Sequence, residues 1–135
     1  MKRYLLDTSA LLTLRDDEEG ADAIAEILKL ARRQRVHCFG SFLTLMEVFY
    51  RVWKDQDEGE GRLAYEQCLS LPIEWVHEDT PLLEKAAEIK ATHTVSLADA
   101  WIAATAILND AVLVHKDPEF EVVPCDQLRL PYRYP

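Results

Sequence analysis

Short apolar runs alternate with longer segments of helical periodicity along the 135-residue chain. The apolar runs predict β-strands over residues 3–6, 36–39, 73–76, 111–115 and 122–123, followed by a proline-rich tail that ends at residue 135. Apolar positions spaced by three and four predict helices over residues 9–14, 18–35, 42–54, 62–71, 81–92 and from 97 onwards. Strands that alternate with helices favour an α/β fold with a parallel sheet.

Several helix starts carry local signals. Ser41 is predicted as an N-cap, and Thr80 followed by Pro81 has the pattern of an N-cap and a first helical residue. Ser96 and Asp99 have the spacing of a capping box before a nearly all-apolar helix. The hydrophilic stretch 55–61 is predicted as a loop.

Composition indicates an ordinary globular protein: 135 residues fit one domain, and 49% hydrophobic with 29% charged residues is typical of soluble material. The longest apolar run falls well short of the roughly 20 residues that span a bilayer, and no signal-peptide core follows Lys2 and Arg3. We therefore expect a cytosolic protein without a membrane segment. Cys38, Cys68 and Cys125 match no disulfide framework or zinc spacing, so we expect reduced thiols.

The net charge of −9 argues against broad electrostatic attraction to nucleic acid. Arg32, Arg33 and Arg35 crowd the end of the predicted helix 18–35, where positive charge suits the negative pole of the helix dipole. Phosphate contact is the less favoured interpretation of this cluster. If the substrate is a nucleic acid, cations or local arginines must attract it.

Two acidic residues follow apolar strands. Asp7 comes directly after the first predicted strand, and Asp117 follows the strand 111–115. Carboxyl ends of parallel strands border the ligand crevice of open α/β sheets. Each residue also has a structural interpretation, because Asp7 would cap the helix behind it and Asp117 would initiate a turn before Pro118.

Two further acids lie on largely apolar helices. Glu47 shares a polar stripe with Thr44 and Arg51. The stripe faces either a polar cavity within the protein or solvent, and in the second case Glu47 would form an exposed ion pair with Arg51. Asp99 lies in a first helical turn, where a carboxylate completes a capping box and also coordinates a cation. Oxygen ligands of this kind suit Mg²⁺ or Mn²⁺ better than Zn²⁺.

The segments RYLLDTSALL, SFLTLMEV, SLADAWIAATAI and LVHKDPEF resemble, in order and spacing, the PIN-domain ribonucleases, and among them the VapC-type toxins of toxin–antitoxin pairs. The resemblance implies a single PIN-like domain over 1–135, folded as an α/β/α sandwich with a parallel sheet of about five strands. It also implies an acidic quartet, which in this chain is Asp7, Glu47, Asp99 and Asp117. The polar residue of the first motif is Thr8 or Ser9, and we favour Ser9, which would orient Asp7.

The implied activity is that of an endoribonuclease dependent on Mg²⁺ or Mn²⁺. Four carboxylates repel an anionic phosphodiester, so a divalent cation must reverse the charge of the site. We expect Asp7, Asp99 and Asp117 to ligate the metal and Glu47 to hold a water bound to it. The implied partners are RNA, a cognate antitoxin that inserts an Arg or Lys into the site, and a second copy of the chain packed through apolar surface of the early helices.

His115 departs from the family pattern, because many members carry Thr or Ser two positions before the fourth acid. Neighbouring carboxylates would raise the pKa of His115 and make it cationic without metal. Two alternatives stay open. One is a PIN-like interaction domain that has lost activity, with His115 as the indication, and the other is an aspartyl-phosphate enzyme or receiver domain built around Asp7.

Overall fold

The computed structural model describes residues 1–132 of the chain. Within this range the strands are β1 (Lys2–Leu6), β2 (Val36–Ser41), β3 (Glu74–Val76), β4 (Val112–His115) and β5 (Gln127–Arg129). The helices are α1 (Thr8–Arg15), α2 (Ala21–Arg32), α3 (Phe42–Asp55), α4 (Glu58–Leu69), α5 (Thr80–Thr92) and α6 (Leu97–Leu108), and a 3₁₀ helix (Pro118–Val122) precedes β5. The end of the predicted proline-rich tail, residues 133–135, lies outside the described residues.

All neighbouring strands pair in parallel, in the order β3-β2-β1-β4-β5. The chain builds outward from β1 through β2 to β3 and then returns to place β4 on the other side of β1. In sheets of this kind the ligand crevice lies beyond the carboxyl ends of the two strands where the direction of building reverses. The topology therefore places a crevice at the ends of β1 and β4.

Alternating strand residues face two separate cores. Leu5 and Leu113 pack in one core with α5 and α6, whereas Leu6 and Val114 pack in the other with α1 to α4. All four of these side chains are fully buried, as expected for strands covered on both faces. The predicted α/β/α sandwich with a five-stranded parallel sheet is thereby confirmed.

The predicted strand at 122–123 is wrong. Val122 ends the 3₁₀ helix Pro118–Val122, and the fifth strand is Gln127–Arg129, which pairs with β4. The Oδ1 atom of Asp117 accepts a hydrogen bond from the Glu119 N–H (2.9 Å), which starts the turn and brings Phe120 into the core. Burial of this aromatic ring outweighs the β-propensity of the two valines that follow it.

Two helix starts differ from their predictions. Asp79, and not Thr80, caps α5, because its Oδ1 atom accepts from the Leu82 N–H at 2.9 Å. Part of the predicted loop 55–61 is helical, since Asp57 caps α4 through the Glu60 N–H at 2.8 Å. Ser41 is confirmed as the N-cap of α3.

No helix among residues 1–132 is both long and apolar enough to cross a membrane. The three cysteines are free thiols, as predicted, and burial raises the pKa of Cys38 and of Cys68 to about 11.

Candidate active site

Four acidic side chains predicted from the sequence meet at the carboxyl edge of the sheet. Asp7 directly follows β1, and Asp117 lies two residues after β4. Glu47 projects from α3, and Asp99 lies in the first turn of α6. The charges of Asp117 and Glu47 act on Asp7, and those of Asp117 and Asp7 act on Asp99. The crevice predicted by the strand order is therefore lined by carboxylates.

Asp7 is both a helix cap and a member of this acidic group. Its Oδ1 atom accepts from the Ala10 N–H (2.8 Å), which caps α1, and both carboxylate oxygens accept from the Ser9 hydroxyl at 2.7 and 2.8 Å. The side chain is only 3% exposed. Burial, aided by the charges of Asp117 and Glu47, raises the pKa of Asp7 to about 7 even though the hydrogen bonds oppose this rise.

The Ser9 hydroxyl also joins the ends of β1 and β4. It accepts a hydrogen bond from the Lys116 N–H at 2.8 Å while it donates to Asp7. The backbone next to Asp117 is thus tied to the side chain that holds Asp7. Of the two candidates in the first motif, Ser9 contacts Asp7, and Thr8 contacts a different acid.

The acid that Thr8 contacts is Glu47, which is only 8% exposed. Its Oε1 atom accepts from the Thr8 hydroxyl (2.7 Å), which is also hydrogen-bonded to Thr44 at 3.1 Å. The Arg51 guanidinium lies 3.4 Å from Oε2 and is half exposed. The polar stripe on α3 therefore faces the protein interior at Thr44 and Glu47. The ion pair between Glu47 and Arg51 forms, but only its Arg51 end is exposed to solvent.

A group of three potential metal ligands contains an acid that the sequence reasoning missed. One carboxylate oxygen from each of Asp99, Asp117 and Glu119 lies within 4.8 Å of the others. Burial, the hydrogen bond to Glu119 and the charge of Asp117 all raise the pKa of Asp99. The Asp-Pro-Glu pattern at 117–119, a cap followed by proline and an acid, was the available signal for a turn that carries Glu119 back to the site.

The predicted capping box at the start of α6 is only half formed. The Ser96 hydroxyl accepts from the Asp99 N–H at 3.2 Å, as predicted. The Ser96 N–H, however, donates to the Glu119 carboxylate at 2.6 Å and not to Asp99. An acid from a different element completes the cap, so the carboxylate of Asp99 is directed to the acidic group instead.

His115 is completely buried beside this group. Its Nδ1 atom accepts from the Asp117 N–H (3.0 Å), and its Nε2 atom lies 2.9 Å from the Gln127 Oε1 atom. The expectation of a raised pKa is wrong. Burial lowers the pKa of His115, because removing the ring from water penalises its charged form more than the nearby Asp117 and Glu121 carboxylates favour it.

The arginine cluster lies away from the acids. Arg32, Arg33 and Arg35 are exposed at the end of α2 and in the connection that leads into the start of β2. The acids lie beyond the opposite, carboxyl ends of the strands. The helix-dipole interpretation of the cluster therefore accounts for its position, and contact with a phosphate bound at the acids would require a substrate that spans the sheet.

The donor chemistry of the acidic group fits a hard divalent cation. The group offers three carboxylates at close range, with Asp7 buried next to them. Oxygen-only donors of this kind are those that Mg²⁺ and Mn²⁺ prefer. A cation would offset both burial of the charge and the repulsion between the acids, which together raise the pKa of Asp7 and Asp99. The imidazole of His115 is engaged by Asp117 and Gln127 through both nitrogens, which leaves no lone pair for a metal.

Comparison with known proteins defines the family. The family model of the PIN domain matches residues 4–124, and the chain belongs to this family. No curated protein sequence matches the chain significantly.

The chain is also similar to solved structures of VapBC and VapC proteins. It is similar to DNA-bound VapBC from Salmonella typhimurium (25% identity, TM-score 0.77), with 96% of this chain and 98% of that chain covered. It is also similar to VapBC2 from Rickettsia felis bound to a promoter DNA fragment. The sequence identity is 20% and the TM-score 0.77, with 96% of this chain and 99% of that chain covered. A third similar structure is Mycobacterium tuberculosis VapC20, a sarcin-ricin loop cleaving toxin. The sequence identity is 18% and the TM-score 0.72, with 93% of this chain and 98% of that chain covered. The predicted resemblance to VapC-type PIN domains is confirmed.

Proposed function

We propose that this protein is a metal-dependent endoribonuclease and the toxin of a toxin–antitoxin pair, with residues 1–135 forming one domain. The observation that carries the proposal is the meeting of Asp99, Asp117 and Glu119 within 4.8 Å, beside the buried Asp7, at the crevice of a PIN domain. Gathering this much negative charge strains the fold unless a cation binds, and a bound cation is what an anionic phosphodiester requires.

In this proposal Asp7, Asp99, Asp117 and Glu119 hold Mg²⁺ or Mn²⁺. When bound, the ion would neutralise charge on the phosphate and activate a water for in-line attack at phosphorus. Two of these acids are held by neighbours: the Ser9 hydroxyl donates to Asp7 at 2.7 Å, and the Glu119 N–H donates to Asp117 at 2.9 Å. The residues are thus fixed before the substrate arrives, which favours catalysis through positioning.

Glu47 has a different proposed task. The Thr8 hydroxyl occupies its Oε1 atom at 2.7 Å, and Arg51 lies at a longer 3.4 Å from its Oε2 atom. The second oxygen therefore has acceptor capacity left for a water on the substrate side of the site. We propose that Glu47 orients this water, while Thr8 keeps the carboxylate in place.

A cleavage assay on a mixed cellular RNA pool tests the proposal. Wild type with Mn²⁺ should cut the RNA, EDTA should stop the reaction, and Asp117→Asn should reduce the rate by at least about a hundredfold, as expected when a metal ligand is lost. Asp22→Asn is the matched control, because Asp22 is an exposed acid on α2. Cleavage that survives both EDTA and Asp117→Asn would refute the metal-dependent mechanism.

The proposal of an antitoxin partner is supported by the VapBC complexes to which the chain is similar. An inserted Arg or Lys side chain would satisfy the same carboxylates as the metal ion. Expression of the chain alone should then arrest growth of host cells, and Asp117→Asn should abolish the arrest. Equal toxicity of the variant would exclude cleavage as its cause.

We also propose a homodimer. Three large apolar side chains on α3 are exposed: Met46, Tyr50 and Trp53 at 57%, 40% and 47%. Apolar side chains grouped on one helix are typical of surfaces that associate. Size-exclusion chromatography with light scattering should give twice the 15.5 kDa chain mass, and a monomer throughout the micromolar range would contradict the proposal.

A further inference from the structure

The amide of Gln127 has one possible orientation. Its Nε2 atom donates to the carbonyl oxygens of Phe120 (2.7 Å) and Val123 (3.1 Å), at the end of the 3₁₀ helix. Carbonyl oxygens only accept hydrogen bonds, so the NH₂ group must face them and use both of its hydrogens. The Oε1 atom consequently faces away from the turn and toward His115, 2.9 Å from the ring.

This orientation determines the tautomer of His115. The Gln127 Oε1 atom accepts only, so the His115 Nε2 atom must carry a hydrogen. The backbone N–H of Asp117 donates only, so the Nδ1 atom 3.0 Å away must be bare. Gln127 and the Asp117 N–H thus require the same neutral tautomer, and each polar atom of the ring has a partner of the correct type.

The two side chains are neighbours on one face of the sheet. Gln127 pairs with Leu113, two residues before His115, so the imidazole and the amide stand in a diagonal relationship across β4 and β5. The ring also packs against Phe120 at 5.3 Å. The imidazole has little freedom to turn, because protein atoms contact its edges and its face.

We propose that His115 and Gln127 are positioning residues for Asp117, which hold its backbone so that its carboxylate joins Asp99 and Glu119. This inference rests on the proposed metal site. His115 accepts a hydrogen bond from the N–H of Asp117, while the carbonyl oxygen of Asp117 accepts one from the Phe120 N–H at 3.2 Å. His115 is thus engaged in holding the Asp117 backbone, so its departure from the family pattern is no sign of a lost activity.

Two substitutions of the ring separate positioning from packing. His115→Asn places an oxygen near the position of the Nδ1 atom and retains an acceptor for the Asp117 N–H. His115→Gln reaches toward the Nε2 position and lacks an acceptor beside Asp117. Gln127→Glu leaves the ring intact but replaces the NH₂ donor by a second carboxylate oxygen, which the Phe120 and Val123 carbonyl oxygens repel, so the side chain loses the contacts that hold its Oε1 atom against His115. Ile102→Ala, in the buried core of α6, is the control for lost stability alone.

The primary measurement is Mn²⁺ affinity by electron paramagnetic resonance, at a temperature where each variant is folded. His115→Asn and Ile102→Ala should bind within about threefold of wild type, whereas His115→Gln and Gln127→Glu should lose about 10- to 100-fold, as typical for residues that orient metal ligands. Equal affinities of the Asn and Gln variants, whether both retained or both lost, would overturn the inference.

A second measurement needs no substitution. Long-range ¹⁵N–¹H correlation spectra of the wild type should show His115 with a protonated Nε2 and a bare Nδ1 atom. A protonated Nδ1 would overturn the inference even if the ring variants failed to fold. Failure of the proposed function looks different, since the wild type and Asp117→Asn would then bind Mn²⁺ equally or not at all.

Discussion

The Glu119 carboxylate accepts a hydrogen bond from the Ser96 N–H at 2.6 Å, although the two residues are 23 positions apart. This contact joins the 3₁₀ helix after β4 to the first turn of α6, which carries Asp99. It caps a helix that would otherwise rely on Ser96 alone, and it also draws Glu119 toward Asp99 and Asp117. One side chain therefore contributes both to the fold and to the charge of the site.

Glu119→Gln separates these two contributions. The glutamine carbonyl oxygen still accepts from the Ser96 N–H, so the cap is retained while the charge is removed. We expect an unchanged or higher melting temperature in EDTA and a loss of Mn²⁺ affinity of about tenfold or more. Titration of Mn²⁺ by calorimetry checks this, with Glu66→Gln, an exposed acid on α4, as the control. Undiminished affinity would exclude Glu119 from the metal site.

Asp99→Asn should stabilise the metal-free protein. Burial and the carboxylates of Glu119 and Asp117 raise the pKa of Asp99, so its ionised form is unfavourable near neutral pH. The backbone N–H at this position still bonds Ser96 in the variant. Mn²⁺ at a hundredfold excess over Kd should add about 2.7 kcal/mol to the wild type and much less to the variant. A lower melting temperature in EDTA with an undiminished Mn²⁺ shift would remove Asp99 from the site.

The raised pKa of Asp7 predicts how the stability of the metal-free protein depends on pH. Its pKa of about 7 in the folded protein exceeds the ordinary 3.8, so folding favours the protonated form. This stabilisation is fully present below pH 3.8 and is lost as the pH rises through 7. The difference between the two values corresponds to about 4 kcal/mol. Urea unfolding in EDTA should show the stability of the wild type falling between about pH 4 and 7, and Asp7→Asn should reduce this loss.

Asp22→Asn replaces an exposed acid on α2 and is the control, because it should leave the pH dependence of the stability unchanged. If Asp7→Asn were less stable than wild type at pH 8, hydrogen bonds from Ser9 would outweigh the cost of burying the charge. Asparagine retains a carbonyl oxygen to cap α1, so the comparison isolates the charge of Asp7.

Gly40→Ala should destabilise the sheet through the neighbouring strand. A Cβ atom at Gly40 would lie 2.3 Å from the Cζ3 atom of Trp75, which packs from β3 over β2. We expect a loss of about 1–3 kcal/mol, as for other overpacked cores. Gly59→Ala on α4 is the control, because its Cβ would meet only Asp57 at 3.4 Å. Chemical denaturation measures both, and equal stabilities would show that the Trp75 ring moves aside freely.

The sequence was sufficient to predict four of the strands and the acids next to them. Residues such as Leu5, Leu6, Leu113 and Val114 form short apolar runs because both faces of the sheet are covered. Gln127 and Arg129 lie in the edge strand β5, which is partly exposed and has no such run. The edge strand was consequently missed, and the apolar pair at 122–123 was predicted as a strand in its place.

The contact partners of Glu119 and His115 could not be predicted from the sequence for a different reason. Glu119 acts through Ser96, and His115 through Gln127, and these partners are set by tertiary packing. The pKa of His115 likewise depends on two opposing effects, burial and nearby negative charge. Counting nearby acids in the sequence reveals only the second effect, so the predicted direction was wrong.

The strand order determines when the acidic group can assemble during synthesis. Ser9 and Lys116, which tie β1 to the end of β4, are 107 positions apart in the chain. β4 enters the sheet directly beside β1, so the earlier strands can pair while the site still lacks Asp117. Contacts of such long sequence separation form late and slow the overall folding of a domain. A ribosome-bound chain that has exposed only its first hundred residues still lacks Asp117 and Glu119, so the acidic group is expected to assemble only after β4 and the 3₁₀ helix have been made.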